Sequence, residues 1–207
     1  MKESITRVAT TLVGLVAFGI GIGSLFLADL GVPAWDVLHD ALADLFDRQP
    51  GTVIIALGVV LLIVVVALRQ PVGPATVANV AIIGSTVNVI LAVIDPPSSI
   101  AVRVLLVVAA PIVAAFGTML YLGAGLGAGV RDALMTALVD AGLSIRLART
   151  CIEVTVLIGG GALGGSYGVG TVAFAVLIGP LFQFFQQRVW AGYPELTGWV
   201  YRRRGIG

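Results

Sequence analysis

The sequence predicts an all-α membrane protein. Its six transmembrane helices form a 3+3 inverted-topology repeat, and each half carries one short amphipathic or re-entrant helix. Three observations lead there. The chain is 58% hydrophobic and 11% charged, with mean hydropathy +1.07. A soluble domain carries roughly a quarter charged residues, so this chain cannot cover its own surface and takes lipid as its solvent. Apolar stretches of about 20 residues, the length that crosses a bilayer, recur along it. Finally, one segment near residue 30 returns near residue 126.

The first repeat covers residues 1–95. Lys2 and Arg7 precede an apolar run from Val8 to Leu27. That pattern mimics a secretory signal, but the run is too long for a signal core, and it reads as a retained first span. Next comes "ADLGVPAWDVLHDALADLFD", Ala28 to Asp47, with five of the chain's 11 acidic residues. From Ala34 to Asp47, the polar residues Asp36, His39, Asp40, Asp44 and Asp47 share one helical face. Trp35, Leu38, Leu42, Leu45 and Phe46 share the other, which makes an amphipathic helix. At about 14 residues it is ~21 Å long, too short for ~30 Å of hydrocarbon, so it lies in the interface or dips in and returns. Pro33 suits a first helical turn, and Asp36 suits the positive end of the helix dipole. Two further spans follow, Thr52–Leu68 and Ala75–Ile94, the latter stopped by Asp95-Pro96-Pro97.

The second repeat covers residues 96–190. A span at Ile100–Leu122 contains Pro111, a short helix occupies Val130–Ala141, and spans follow at Ile145–Leu163 and Val169–Val189. The last contains Pro180, which neighbouring helices allow by re-satisfying the freed backbone. Residues 191–207 read as a cytoplasmic tail. Trp190, Tyr193, Trp199 and Tyr201 suit an interfacial belt, and Arg202, Arg203 and Arg204 suit anionic headgroups.

The duplication is visible position by position. Setting Leu30–Leu42 against Leu126–Leu138 gives six identities in thirteen positions, Gly31/Gly127 and Asp36/Asp132 among them. With one residue dropped from the following loop, Gly73–Ile90 aligns without gaps to Gly168–Phe185, matching Gly73/Gly168, Thr76/Thr171 and Gly84/Gly179. The distribution of basic residues then sets orientation. With the N-terminus cytoplasmic and the short helices not crossing, ten of the 12 Lys and Arg residues lie inside, and only Arg48 and Arg103 lie outside. Three crossings per half make the repeat inverted, with both termini cytoplasmic. Acids gather in the half that need not satisfy the positive-inside bias.

"DLGVPAWDVLHDAL", "GLGAGVRDALMTAL", "SIRLARTCIEVTVL" and "GVGTVAFAVLIGPL" resemble the YczE/YitT-type family of bacterial integral membrane proteins. The resemblance runs from about Thr6 to Gln187. It implies a small multi-span protein of the bacterial plasma membrane and implies no particular activity.

Candidate site residues are the ionisable groups set among apolar ones. Arg149 and Glu153 lie four apart in the fifth span and share a face, with Arg146 one turn before them. Glu153 is about 8 residues, or ~12 Å, into its helix, where a charge costs several kcal/mol and by default marks function. The equivalent positions in the first half are Ile54 and Gly58, so symmetry does not require the charges. Asp36 and Asp132 match at the starts of the two short helices, the place where broken helices of inverted-repeat transporters address solute and ions. They also suit a plain dipole role, and Asp132 has Arg131 and Arg146 as prospective partners. His39, the chain's one histidine, reads best as part of a solvated polar face. Asn88 and Gln183, which align between the halves, offer pathway lining, as does His39. Gly19/Gly23, Gly160/Gly164 and Gly161/Gly165 have the spacing of close helix packing.

These readings predict a small transporter or channel for an unknown solute, with Arg149, together with Arg146 or Arg131, drawing an anionic group and Glu153 or Asp132 supplying proton or cation coupling. The alternative is a non-transporting scaffold or regulatory partner of another membrane complex. A polar cavity reaching Glu153 separates the two. No cofactor, metal site or nucleic-acid partner is expected, and a homodimer through the glycine faces fits as well as a monomer. The Gly164-Gly165-Ser166-Tyr167-Gly168 string fits a hydrolase motif, but it joins two spans rather than a strand to a helix, and no enzyme is expected. Cys151 stands alone, so it forms no intrachain disulfide.

Overall fold

A computed structural model describes residues 2–189. Eight helices follow one another: α1 (Lys2–Ala28), α2 (Ala34–Phe46), α3 (Pro50–Ala67), α4 (Pro74–Val93), α5 (Ile100–Gly123), α6 (Val130–Asp140), α7 (Ile145–Ala162) and α8 (Val169–Val189). The aromatic belt and basic cluster expected beyond residue 189 lie outside the described residues. Five helices, α1, α3, α4, α5 and α8, are long and apolar enough to cross a membrane. The 18-residue α7 has the length but carries Arg146, Arg149 and Glu153. The helix starts follow from local chemistry. Pro50 and Pro74 occupy first-turn positions of α3 and α4, where a missing N–H costs nothing. At the head of α7, Ser144 accepts a hydrogen bond from the Leu147 N–H at 3.3 Å. The α1 helix starts six residues earlier than the apolar run, because its polar first turns continue the same helix.

At the centre, α1 crosses α5 antiparallel through small residues. A β-carbon on Gly14 would sit 2.7 Å from the Gly117 carbonyl oxygen, and one on Gly21 would sit 2.8 Å from that of Ala110. The two contacts exchange under a shift of 96 residues, so they are one contact made twice. Leu15, Ile22 and Leu25 are fully buried against this seam. Gly19 and Gly23 pack α1 onto α4 at Thr86 and Ile90, as their spacing predicts. In the second half only one member of each glycine pair packs. Gly160 meets the α2 backbone at Leu38, and Gly165 meets Val37, while Gly164 has nothing near it.

The starts of the two short helices meet beside the α1–α5 pair rather than standing at its opposite ends. Asp29, just past α1, pairs with Arg103 near the start of α5 at 3.3 Å. The far end of α5, Gly123, is some 20 residues or about 30 Å further along the helix axis. The chain leaves α1 and α5 from these opposite ends. Yet Arg131 at the start of α6 reaches Asp36 at the start of α2, 3.7 Å away. Each connecting segment therefore folds back toward the middle before its short helix begins.

Those returning segments are held crosswise. The Leu30 carbonyl accepts from the Gly170 N–H at 2.8 Å, and the Leu126 carbonyl accepts from the Ala75 N–H at 3.1 Å. Thr171 Oγ1 accepts from the Gly168 N–H at 3.0 Å, as Thr76 Oγ1 does from the Gly73 N–H at 3.1 Å. Thr171 also donates to the Val32 carbonyl at 2.7 Å. Thr171→Val therefore strands one buried and one part-buried backbone group, and Thr76→Val strands one part-buried group. The expected losses are about 2–4 and 1–2 kcal/mol, read as unfolding free energies in detergent.

The halves differ most in one seam. α3 lies close on α4: Gly51 touches the Gly84 backbone, a β-carbon on Gly58 would stand 2.9 Å from Val80, and Asn88 donates to Thr52 at 3.0 Å. The matching seam between α7 and α8 is open, and a β-carbon on Gly179 would meet nothing within 4 Å. The residues explain the difference. Arg146 and Glu153 stand where α3 has Gly51 and Gly58, and side chains of that size keep the two backbones apart.

Candidate functional site

The first turns of α2 and α6 face each other and enclose one wall of a cavity of about 410 Å³. That volume suits a small molecule. Neither helix has a side-chain cap, and in each the third residue is the acid, Asp36 or Asp132. Asp36 is fully buried. Its Oδ1 lies 2.9 Å from His39 Nδ1, one turn along, and 3.7 Å from Arg131 Nη2. The longer distance makes Arg131–Asp36 an ion pair rather than a hydrogen-bonded fork. Asp36 Oδ2 has no hydrogen-bond partner among the described residues. The Arg131 guanidinium also lies 5.1 Å from the Trp35 ring centroid, within cation–π range.

His39 is therefore not part of a solvated face. It is 1% exposed, and the first polar turn of α2 points inward. The reason is that this turn finds partners there: Arg131 and His39 for Asp36, and the Ser166 N–H, at 2.8 Å, for Asp40. Only the end of the helix, with Asp44 and Asp47, is exposed.

Asp132, the counterpart of Asp36, lines the cavity without an ion pair among the described residues. Tyr121, near the end of α5, points its hydroxyl at Asp132 Oδ2 from 3.4 Å. Across the cavity mouth, Arg149 Nε donates to Glu153 Oε1 at 3.0 Å, and both side chains line the cavity while remaining 57% and 41% exposed. The polar space thus extends to Glu153.

Of the residues singled out in the sequence, Asp36, Arg131, Asp132, His39, Arg149 and Glu153 converge on this region. Arg146 is exposed at the start of α7, outside the lining. Asn88 holds the α3–α4 seam through Thr52, and Gln183 is exposed on α8, so neither lines the cavity. Arg131 engages Asp36 of the other half rather than the adjacent Asp132, because side chains at adjacent helical positions diverge. Tyr121, Trp35 and Asn79 also line the cavity; the sequence reads Trp35 as part of an apolar helix face and Asn79 as an interhelical hydrogen-bonding group, and it does not mark Tyr121. The repeat gave no signal for Tyr121, whose counterpart is an ordinary buried leucine, Leu25. Among the described residues no group of three or more His, Cys, Asp or Glu side chains could hold a metal ion. Ser166 of the hydrolase-like string is exposed.

A family model of unknown function, DUF6198, matches residues 5–187. The chain belongs to that family. An uncharacterised protein of Haemophilus influenzae is 32% identical over 179 residues, covering 86% of this chain and 82% of its own length. The uncharacterised membrane protein YczE of Bacillus subtilis is 26% identical over 187 residues, covering 88% and 86%. No solved structure matches. The family, the YczE relative and the apolar helices together identify a multi-pass, all-α membrane protein.

Proposed function

We propose that this protein is a small transporter that carries a solute through the cavity between its two halves. In this reading α7 is the sixth crossing, and the halves form an inverted repeat in the bacterial plasma membrane with both termini cytoplasmic. The observation that carries it is the cavity itself. It is flanked by the inward-facing starts of two short helices, reaches Glu153, and is sealed along α3–α4 but open along α7–α8. A pseudo-symmetric pair with one seam shut and its counterpart open is what alternating access needs from a single state. The buried charges also support it, since ionisable groups within spans are costly and a purely structural bundle needs none.

Charge balance refines the solute. Two arginines, Arg131 and Arg149, stand among three carboxylates, Asp36, Asp132 and Glu153; both arginines also act on Asp132, and one acid is in excess. The balance supports a solute bearing a cationic group, where Arg149 taken alone points to an anion. Flux into proteoliposomes tests the proposal. Glu153→Gln and Arg149→Leu are each expected to cut flux at least tenfold. Unfolding should barely change, because a half-exposed pair contributes about 1 kcal/mol or less. If both variants transport normally, these residues are not the site. The exposed Asp44 and Asp47 at the end of α2 favour a second reading, a docking surface for another membrane protein. Stable co-purification of a partner with no flux for any solute would decide for that reading.

A further inference from the structure

We propose that the solute is an amine-bearing amphiphile, which enters from the bilayer between α7 and α8 and seats its ammonium group against Asp132. This rests on the cavity being a solute site.

The head subsite is defined by three polar atoms around Gly129, the residue that opens α6. From the point where a β-carbon of Gly129 would stand, Asn79 Nδ2, Asp132 Oδ2 and Tyr121 Oη are each 3.4 Å away. A carboxylate and a phenol oxygen converge there, and a turn of the Asn79 amide adds a third acceptor. An ammonium group has three donors and no acceptor, so it matches this set. Among the described residues Asp132 has no ion pair within 4 Å, unlike its counterpart Asp36, although Arg149 and Arg131 attract it from further off. The two equivalent acids thus have different work: one ties the halves together, and the other is left for an occupant.

Beside its charged groups, Arg131, Arg149 and Glu153, the cavity also has apolar lining. Phe18 from α1 and Phe174, Ile178 and Phe182 from α8 present an apolar wall to it. A molecule that satisfies both parts has a cationic head and an apolar body. The path for such a body is the unclosed seam. A β-carbon on Gly179 of α8 would meet nothing within 4 Å, whereas Gly84, its counterpart, is packed against Gly51. Arg149 and Glu153 stand half-exposed at this opening, in spans where bare charge is costly. A polar head passing between them would cover that charge.

Trp35 lies in the cavity wall and serves as the reporter. The protein, with Trp190→Phe and Trp199→Phe, is placed in phosphatidylcholine nanodiscs and titrated with 11-bromoundecylamine, 11-bromoundecanoic acid and 11-bromoundecanol. Saturable quenching by the amine is expected, with at least tenfold weaker binding of the acid and the alcohol. Asp132→Asn should weaken amine binding at least tenfold. Gly129→Ala fills the subsite without removing a charge. Its contacts are ordinary van der Waals distances at a φ of −64°, so the fold should be kept while amine binding falls similarly. In a Cys151→Ala background, Leu147→Cys with Gln183→Cys, the counterparts of the bonded Thr52 and Asn88, allow α7 to be cross-linked to α8. The cross-link should block quenching, and its reduction should restore it. Equal quenching by all three probes, or an unaltered response in Asp132→Asn and Gly129→Ala, would overturn the head assignment. Unchanged quenching after cross-linking would overturn the lateral route. Binding is read here without flux, so amine binding by a protein that moves nothing refutes transport while the subsite stands.

Discussion

Arg131→Ala is expected to destabilise the protein by about 3–5 kcal/mol, the usual cost of removing one member of a buried ion pair. Asp36 is fully buried, already has one oxygen without a hydrogen bond, and would lose the arginine that pairs with it among the described residues. The reverse change, Asp36→Asn, should cost less. Arg131 keeps the Trp35 ring and has a 28% exposed side chain through which to reach water. Combining Asp36→Asn with Arg131→Ala should recover part of the loss, with a coupling of roughly 0.5–3 kcal/mol between the two positions. Reversible unfolding in mixed detergent micelles measures all four proteins. If Arg131→Ala behaves as an ordinary surface change, of within about 0.5 kcal/mol, the pair does not join the halves.

The second large effect is expected at Gly31. Its φ is +98°, and a β-carbon there would overlap the Gly168 N–H, where the returning segment of one half crosses the entrance to α8. Gly31→Ala therefore combines a left-handed backbone cost of about 1–2 kcal/mol with a backbone collision. The sum should exceed about 4 kcal/mol, the range in which variants fail to fold. Gly164 is the control. It has the same φ of +98° with nothing within 4 Å of its would-be β-carbon, so Gly164→Ala should show the backbone cost alone. Folded yield after membrane extraction and unfolding of the surviving protein compare the two. Equal behaviour would mean that the crossing is not tight.

Much of the fold was legible in the sequence because glycine and proline punctuate it. Pro50, Pro74 and the Gly123–Gly129 and Gly164–Gly168 stretches bound helices whose limits fall close to those predicted. The twin motifs around Asp36 and Asp132 likewise located the two helix starts that flank the cavity. Periodicity failed at His39. An amphipathic pattern tells that polar residues share a face, but not whether water or a distant arginine meets that face. The Arg131–Asp36 pair joins residues 95 positions apart, which no local rule reaches. The open seam, by contrast, had a signal that went unused: Gly51 and Gly58 against Arg146 and Glu153 is a difference in bulk at matched positions.

The crosswise tethers carry a consequence for biogenesis. The bond from Gly170 to Leu30 and the bond from Ala75 to Leu126 each fasten an early stretch of chain to a late one. Neither duplicate can finish folding by itself, since its dipping loop is gripped by its sibling. A nascent polypeptide halted near residue 95 would hold its first spans in the bilayer with that loop still ungripped. Supplying the missing half from a second transcript should rescue it, much as two hands complete a clasp.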